Sequence, residues 1–380
     1  MCRDLIKIKM SDNAADLEQY VNLGDVLAAC RGARADVQAV LNVRVAPNSA
    51  SVQGITSLML RVTATVRLHD SSTSIIKLIC KRLPVIDIQL KTIKDGGLFE
   101  KEVTFYRDIV PLLKQRSQQL PLAKCYLAQG TTTVLEDLNE TGYVMLTKEM
   151  KDMGREGVVG LPQARLVVRR LAQFHAASLG MDLLPRIDFD PIHMVYGAAR
   201  TAAIAMRELL PHCTKHTDWL LGPTNCFDTM AVLARPSSDG LNVLCHGDCH
   251  VNNMMFLNDA EGKPVDVKFL DMSLILQTYV EAFNAAACTT PDLLTLDTFM
   301  AEYEECRMFG YVMAMNILPK FVMTGVMPAS GEGLTDDSYE SIMLKDTSGA
   351  TSEQLRNNPE FKQCMTDLVE EVVPILDRIL

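Results

Sequence analysis

The segment His246-Gly247-Asp248, with Asn253 five positions beyond the aspartate, holds residue types suited to moving a phosphoryl group. Val243-Leu244-Cys245 leads into it as a short apolar run. Met254–Leu257 then reads as a strand, Asn258-Asp259-Ala260-Glu261-Gly262 as a turn, and Pro264–Leu270 as a second strand that ends at Asp271. An antiparallel hairpin returns the chain beside its start, so Asp271 is expected close to Asn253, with Asp248 on the loop just before them. A carboxylate and an amide oxygen that converge suit a hard cation such as Mg²⁺, which takes oxygen ligands and keeps waters for phosphate. A second carboxylate nearby can orient a hydroxyl and take its proton. In such chemistry the protein mostly positions groups and stabilises charge. Asp and Asn also cap turns, so the hairpin alone leaves that plainer reading open.

A phosphate site needs a fixed positive charge as well. Lys81 ends the apolar strand Ile75–Cys80, and a helix after Gly96-Gly97 carries Glu100 and Glu102 on different faces. A strand lysine paired with a helix glutamate is how kinases hold nucleotide phosphates. Lys77 competes with Lys81, and Glu100 with Glu102; a solvated surface charge is the ordinary fate of all four. Cys245, His246, Cys249 and His250 could instead suggest zinc. Zinc sites draw on separated ligand pairs, whereas these interleave with no distant partner pair.

The elements that must position these residues fall into two groups. Leu58–Leu68 alternates apolar residues with Arg and Thr, and Ser74–Leu83 follows a polar turn, which together read as a hairpin. A helix over Leu98–Leu113 and strands around Lys124–Ala128 and Thr132–Leu135 complete this part. After Glu136-Asp137-Leu138 the pattern turns helical: Ala164–Leu179, Ala198–Leu210, Leu293–Met308 and Glu360–Leu380. Segregated strands and helices predict an α+β chain rather than a βαβ one.

Composition narrows the function. The 380 residues are 48% hydrophobic and 22% charged, enough for two lobes with separate cores. A net charge of -10 argues against nucleic acid, which calls for a basic face. The 11 cysteines are scattered without a Cys-x-x-Cys pair, as expected of free thiols in a cytoplasmic protein. Charges interrupt the first ten residues, so no signal peptide is read there, and no apolar run reaches the roughly 20 residues of a membrane span.

The ordered set of motifs resembles the ecdysteroid kinase-like (CHK kinase-like) family, relatives of choline kinases and aminoglycoside phosphotransferases. The motifs are Ile79-Cys80-Lys81-Arg82-Leu83-Pro84, Phe99–Tyr106, Val134–Leu138, Leu171–Ala176, His246–Asn253 and Val265–Asp271. The resemblance implies a protein-kinase-like bilobal fold: an extension over residues 1–19, a strand-rich N-lobe with one helix over 20–138, and a mostly helical C-lobe over 139–380. It also implies roles. Asp248 is the base that orients a substrate hydroxyl, and Asn253 and Asp271 hold Mg²⁺. Lys81 contacts the ATP phosphates and pairs with Glu102. Backbone groups at Glu136, Asp137 and Leu138 meet the adenine, and a loop over Ser51–Arg61, with Gly54 and Ser57, covers the phosphates. His175 is expected to be structural. The implied substrate is a small apolar alcohol, an ecdysteroid among them.

The chain departs from the family after Asp271. An aromatic residue, Gln, a loop and Asp-Leu usually follow there; this chain has Met272-Ser273-Leu274-Ile275-Leu276-Gln277 leading straight into a helix. Roughly 30 residues of the family pattern are absent. The absent segment would brace the metal loop, and a metal ligand misplaced by about 1 Å costs on the order of a hundredfold in rate. Two hypotheses follow: a kinase fold that binds small molecules with little or no phosphoryl transfer, or a gene model that lacks an exon. Sequencing the transcript separates them, because an intervening exon restores the pattern and removes the case for a degenerate enzyme.

Overall fold

The computed structural model describes residues 17–48, 57–85, 87–95, 97–147, 158–181, 193–222, 226, 228–229, 241–245, 251–269, 294–322 and 348–380. The chain forms two compact units: Met1–Pro111 with Ala123–Gly142, and Leu112–Leu122 with Tyr143–Leu380.

The first unit is built on a five-stranded antiparallel sheet in the order β1-β2-β3-β5-β4. Its strands are β1 (Val37–Pro47), β2 (Leu58–Leu68), β3 (Thr73–Arg82), β4 (Cys125–Gln129) and β5 (Thr132–Glu136). Strict alternation in β2 sorts its two faces. Leu58, Leu60, Val62, Ala64 and Val66 are buried, while Met59, Arg61, Thr63 and Thr65 between them are half-buried. The buried set packs with Val26, Ala29 and Cys30 of helix α1 (Leu23–Ala33). Asn22 starts that helix by accepting from the amides of Gly24 at 2.7 Å and Asp25 at 3.2 Å. Gly32 lets it lie tight on β4, since a Cβ there would stand 2.9 Å from the Tyr126 carbonyl oxygen.

The sequence predicts a single helix in this lobe, and the structure contains more. Besides α1, the crossing from β3 to β4 holds α2 (Asp87–Asp95), α3 (Leu98–Thr104), a π-helical turn over Phe105–Ile109 and α4 (Val110–Arg116). Helix α1 contains Gly24 and Gly32, which weaken its helical signature. The loop expected over Ser51–Arg61 is already strand from Leu58 onward, because Leu58–Arg61 pairs along β3 from Arg82 to Ile79.

Leu112–Leu122 belongs to the second unit for visible reasons. The Phe269 amide donates to the Pro121 carbonyl at 2.8 Å, and the Arg116 guanidinium donates to the Leu179 carbonyl. The core of this unit joins α6 (His193–Leu209), α7 (Thr214–Leu221), α8 (Leu296–Val322), α9 (Ser348–Asn357) and α10 (Pro359–Ile379) around Met206, Trp219, Met308, Leu355, Phe361 and Leu376. Helix α8 runs past the expected Met308 to Val322. Helix α5 (Leu161–Ser178) buries Val167, Leu171, Phe174 and His175, so His175 is a packed residue. Among the described residues, no helix is long and apolar enough to cross a membrane.

Candidate active site

In the first unit the structure brings together one of the cation–carboxylate pairs that the sequence leaves open. Lys81 Nζ lies 2.6 Å from Glu102 Oε2, with 21% and 24% of the two side chains exposed. Glu100 is exposed on another face of the same helix. Lys77 pairs instead with Glu140 at 2.9 Å on the surface. The ammonium of Lys81 has three donors, so a single carboxylate leaves capacity for a phosphate oxygen. Glu102 stands next to the π-helical turn, which also carries Tyr106. Burial raises the Tyr106 phenol well above its ordinary value, and the Glu102 carboxylate raises it further, so the phenol stays neutral beside the pair. Cys80, the neighbour of Lys81, points into the core, and burial pushes its thiol up to about 11.

The turn after β5 is fixed by its side chains. Glu136 accepts from the Lys124 amide at 2.7 Å. Asp137 caps the short 3-10 turn Leu138–Thr141 through the Asn139 amide at 3.2 Å, and Leu138 is buried. Asp137 also meets Arg61 of β2 at 2.8 Å, with only 2% of its side chain exposed. These carboxylates are occupied within the fold. Ser57 is buried at the entry to β2. Gly54 lies outside the described residues.

In the second unit β6 (Met254–Asn258) and β7 (Pro264–Phe269) form the expected hairpin, with Met254 opposite Phe269. Asp259 organises the turn by accepting from the amides of Glu261 at 3.2 Å and Lys263 at 2.8 Å. Gly262 takes the positive φ of 80° that the turn requires. Asn253 closes the short turn Val251–Asn253 just before β6. Asp248 and Asp271 lie outside the described residues.

Sequence reasoning missed the residues that brace this hairpin. Asp266 of β7 receives Arg170 of α5 at 2.8 Å and the Tyr143 hydroxyl at 2.5 Å. Val144 and Phe256 exchange two backbone hydrogen bonds at 2.8 and 2.9 Å. Ser178 accepts from the Leu244 amide at 2.7 Å while its hydroxyl donates to the His175 carbonyl. The chain entering the His246 segment is thereby tied to α5.

Removing a buried partner from an ion pair leaves a charge without compensation. Asp137→Ala is therefore expected to lower stability by about 2–3 kcal/mol, since Arg61 is partly solvated and recovers some hydration. Urea denaturation checks this, and an unchanged midpoint would show that the pair holds nothing.

A search of curated proteins returns no match. The sequence profile of the Ecdysteroid kinase-like family matches residues 51–277, more than half of the chain, and its match ends shortly after Asp271. The chain thus has an α+β, protein-kinase-like bilobal fold and is a small-molecule kinase-like protein: it belongs to the ecdysteroid kinase-like family.

Proposed function

We propose that the protein transfers the γ-phosphoryl group of ATP to a hydroxyl of a small apolar alcohol, ecdysteroids being the first class to test. The Lys81–Glu102 pair carries this reading, because a half-buried lysine held by one carboxylate is suited to phosphate oxygens. Asn253 and Asp271 would hold Mg²⁺, which when bound offsets the charge on the phosphates. An amide oxygen and a carboxylate are the hard donors that ion prefers, and the β6–β7 hairpin begins just after Asn253 and ends two residues before Asp271. Asp248 orients the alcohol and accepts its proton as the oxygen bonds to the γ-phosphorus. The bond from that phosphorus to the β–γ bridging oxygen breaks, and ADP leaves. A small alcohol, rather than nucleic acid or a membrane, is the proposed partner, in the cytoplasm.

A second reading has a specific observation in its favour. The family pattern is interrupted after Asp271, and the profile match stops at residue 277. A chain with that interruption can bind nucleotide and small molecule without transferring phosphate. Incubating the full chain with Mg²⁺, ATP and a panel of steroid, choline-like and xenobiotic alcohols separates the two. Phosphorylated product is expected, falling about 10²–10⁴-fold in Asp248→Asn. Nucleotide binding without product from any alcohol contradicts catalysis and supports the binding reading.

A further inference from the structure

Lys81 shares its face of the sheet with a second cation that family motifs do not name. Across the β2–β3 pair, Met59 stands opposite Lys81 and Arg61 opposite Ile79. Residues directly opposite in an antiparallel pair share a face. Across β3–β5, Thr133 stands opposite Lys81 and Leu135 opposite Ile79. A ligand on this face that reaches from Lys81 to the backbone at Glu136–Leu138 therefore passes over the row of Arg61, Ile79 and Leu135. Ile79 and Leu135 are each 8% exposed, whereas the Arg61 side chain is 31% exposed. Such a ligand meets the guanidinium.

That guanidinium is held in place. Its Nε lies 2.8 Å from Asp137 Oδ2, and its Nη2 reaches Asp137 Oδ1 at 3.4 Å and Asn48 Oδ1 at 3.2 Å. Asp137 is itself pinned by its cap on Asn139. Arg61 stands opposite Ile79, one row from Lys81 on the side of Glu136, so phosphates held at Lys81 leave the guanidinium to the base. A held, planar guanidinium whose side chain is partly exposed offers a stacking surface for an aromatic heterocycle.

We propose that Arg61 is the base-stacking residue of the nucleotide site, and so the residue that makes this chain prefer ATP to a bare polyphosphate. The proposal rests on the nucleotide reading above and deepens it. The test compares affinities of the full chain for MgATP and for magnesium tripolyphosphate, in the wild type, Arg61→Lys, Arg61→Met and Lys81→Met. Arg61→Lys keeps a cation opposite Asp137, so it preserves folding, which a thermal melt verifies. Its affinity for MgATP is expected to fall about tenfold with tripolyphosphate unchanged. Arg61→Met is expected to follow it, and Lys81→Met to weaken both ligands. Arg61 variants that bind MgATP as tightly as the wild type, or more tightly, overturn the proposal, as does an equal loss for both ligands. If Lys81→Met responds while the Arg61 variants do not, only the stacking role fails. If neither ligand binds the wild type, the nucleotide reading fails with it.

Discussion

A lysine at the end of a strand becomes a phosphate ligand only when something holds its long, flexible side chain in one place. Here Glu102 does so, from a helix inserted between β3 and β4. The pair depends in turn on two packing decisions. Alternation in β2 and β3 turns Cys80 into the core against α1 and leaves Lys81 on the opposite face. Burial of Phe99 and Val103 then sets the helix so that Glu102 reaches the lysine while Glu100 stays outside. A one-residue slip in register would send Lys81 into the core face and separate the pair.

The second unit solves its positioning problem with the β6–β7 hairpin. Phe256, Val267 and Phe269 are fully buried and anchor it, and Asp266 fastens one strand to Arg170 and Tyr143. A hairpin held at this many points leaves little freedom at its open end, which Asn253 directly precedes. Rigid support of this kind is what a metal ligand needs, because small displacements cost rate steeply.

Much of this was legible from residue order. Alternation located Leu58–Leu68 and its partner strand, and the turn residues Asn258–Gly262 located the β6–β7 hairpin. Lys81 and Glu102 were open among alternatives by spacing alone and became specific through the order of family motifs. Arg61 was not legible. An arginine between Leu60 and Val62 reads as an ordinary outward residue, and its partner Asp137 lies 76 positions away. Tyr143 and Asp266 are 123 positions apart, and neither announces the other. Helix α1 was hidden by its glycines, one of which exists to let the helix approach β4. Local pattern reveals elements, whereas long-range polar pairs appear only when the fold brings them together.

The most direct test is a double-mutant cycle on MgATP affinity with Lys81→Met, Glu102→Gln and the combined variant. If the pair acts as one device, each single substitution weakens binding and the combined variant binds no worse than Lys81→Met alone. Folded Lys81→Met that binds MgATP as tightly as the wild type would contradict the account.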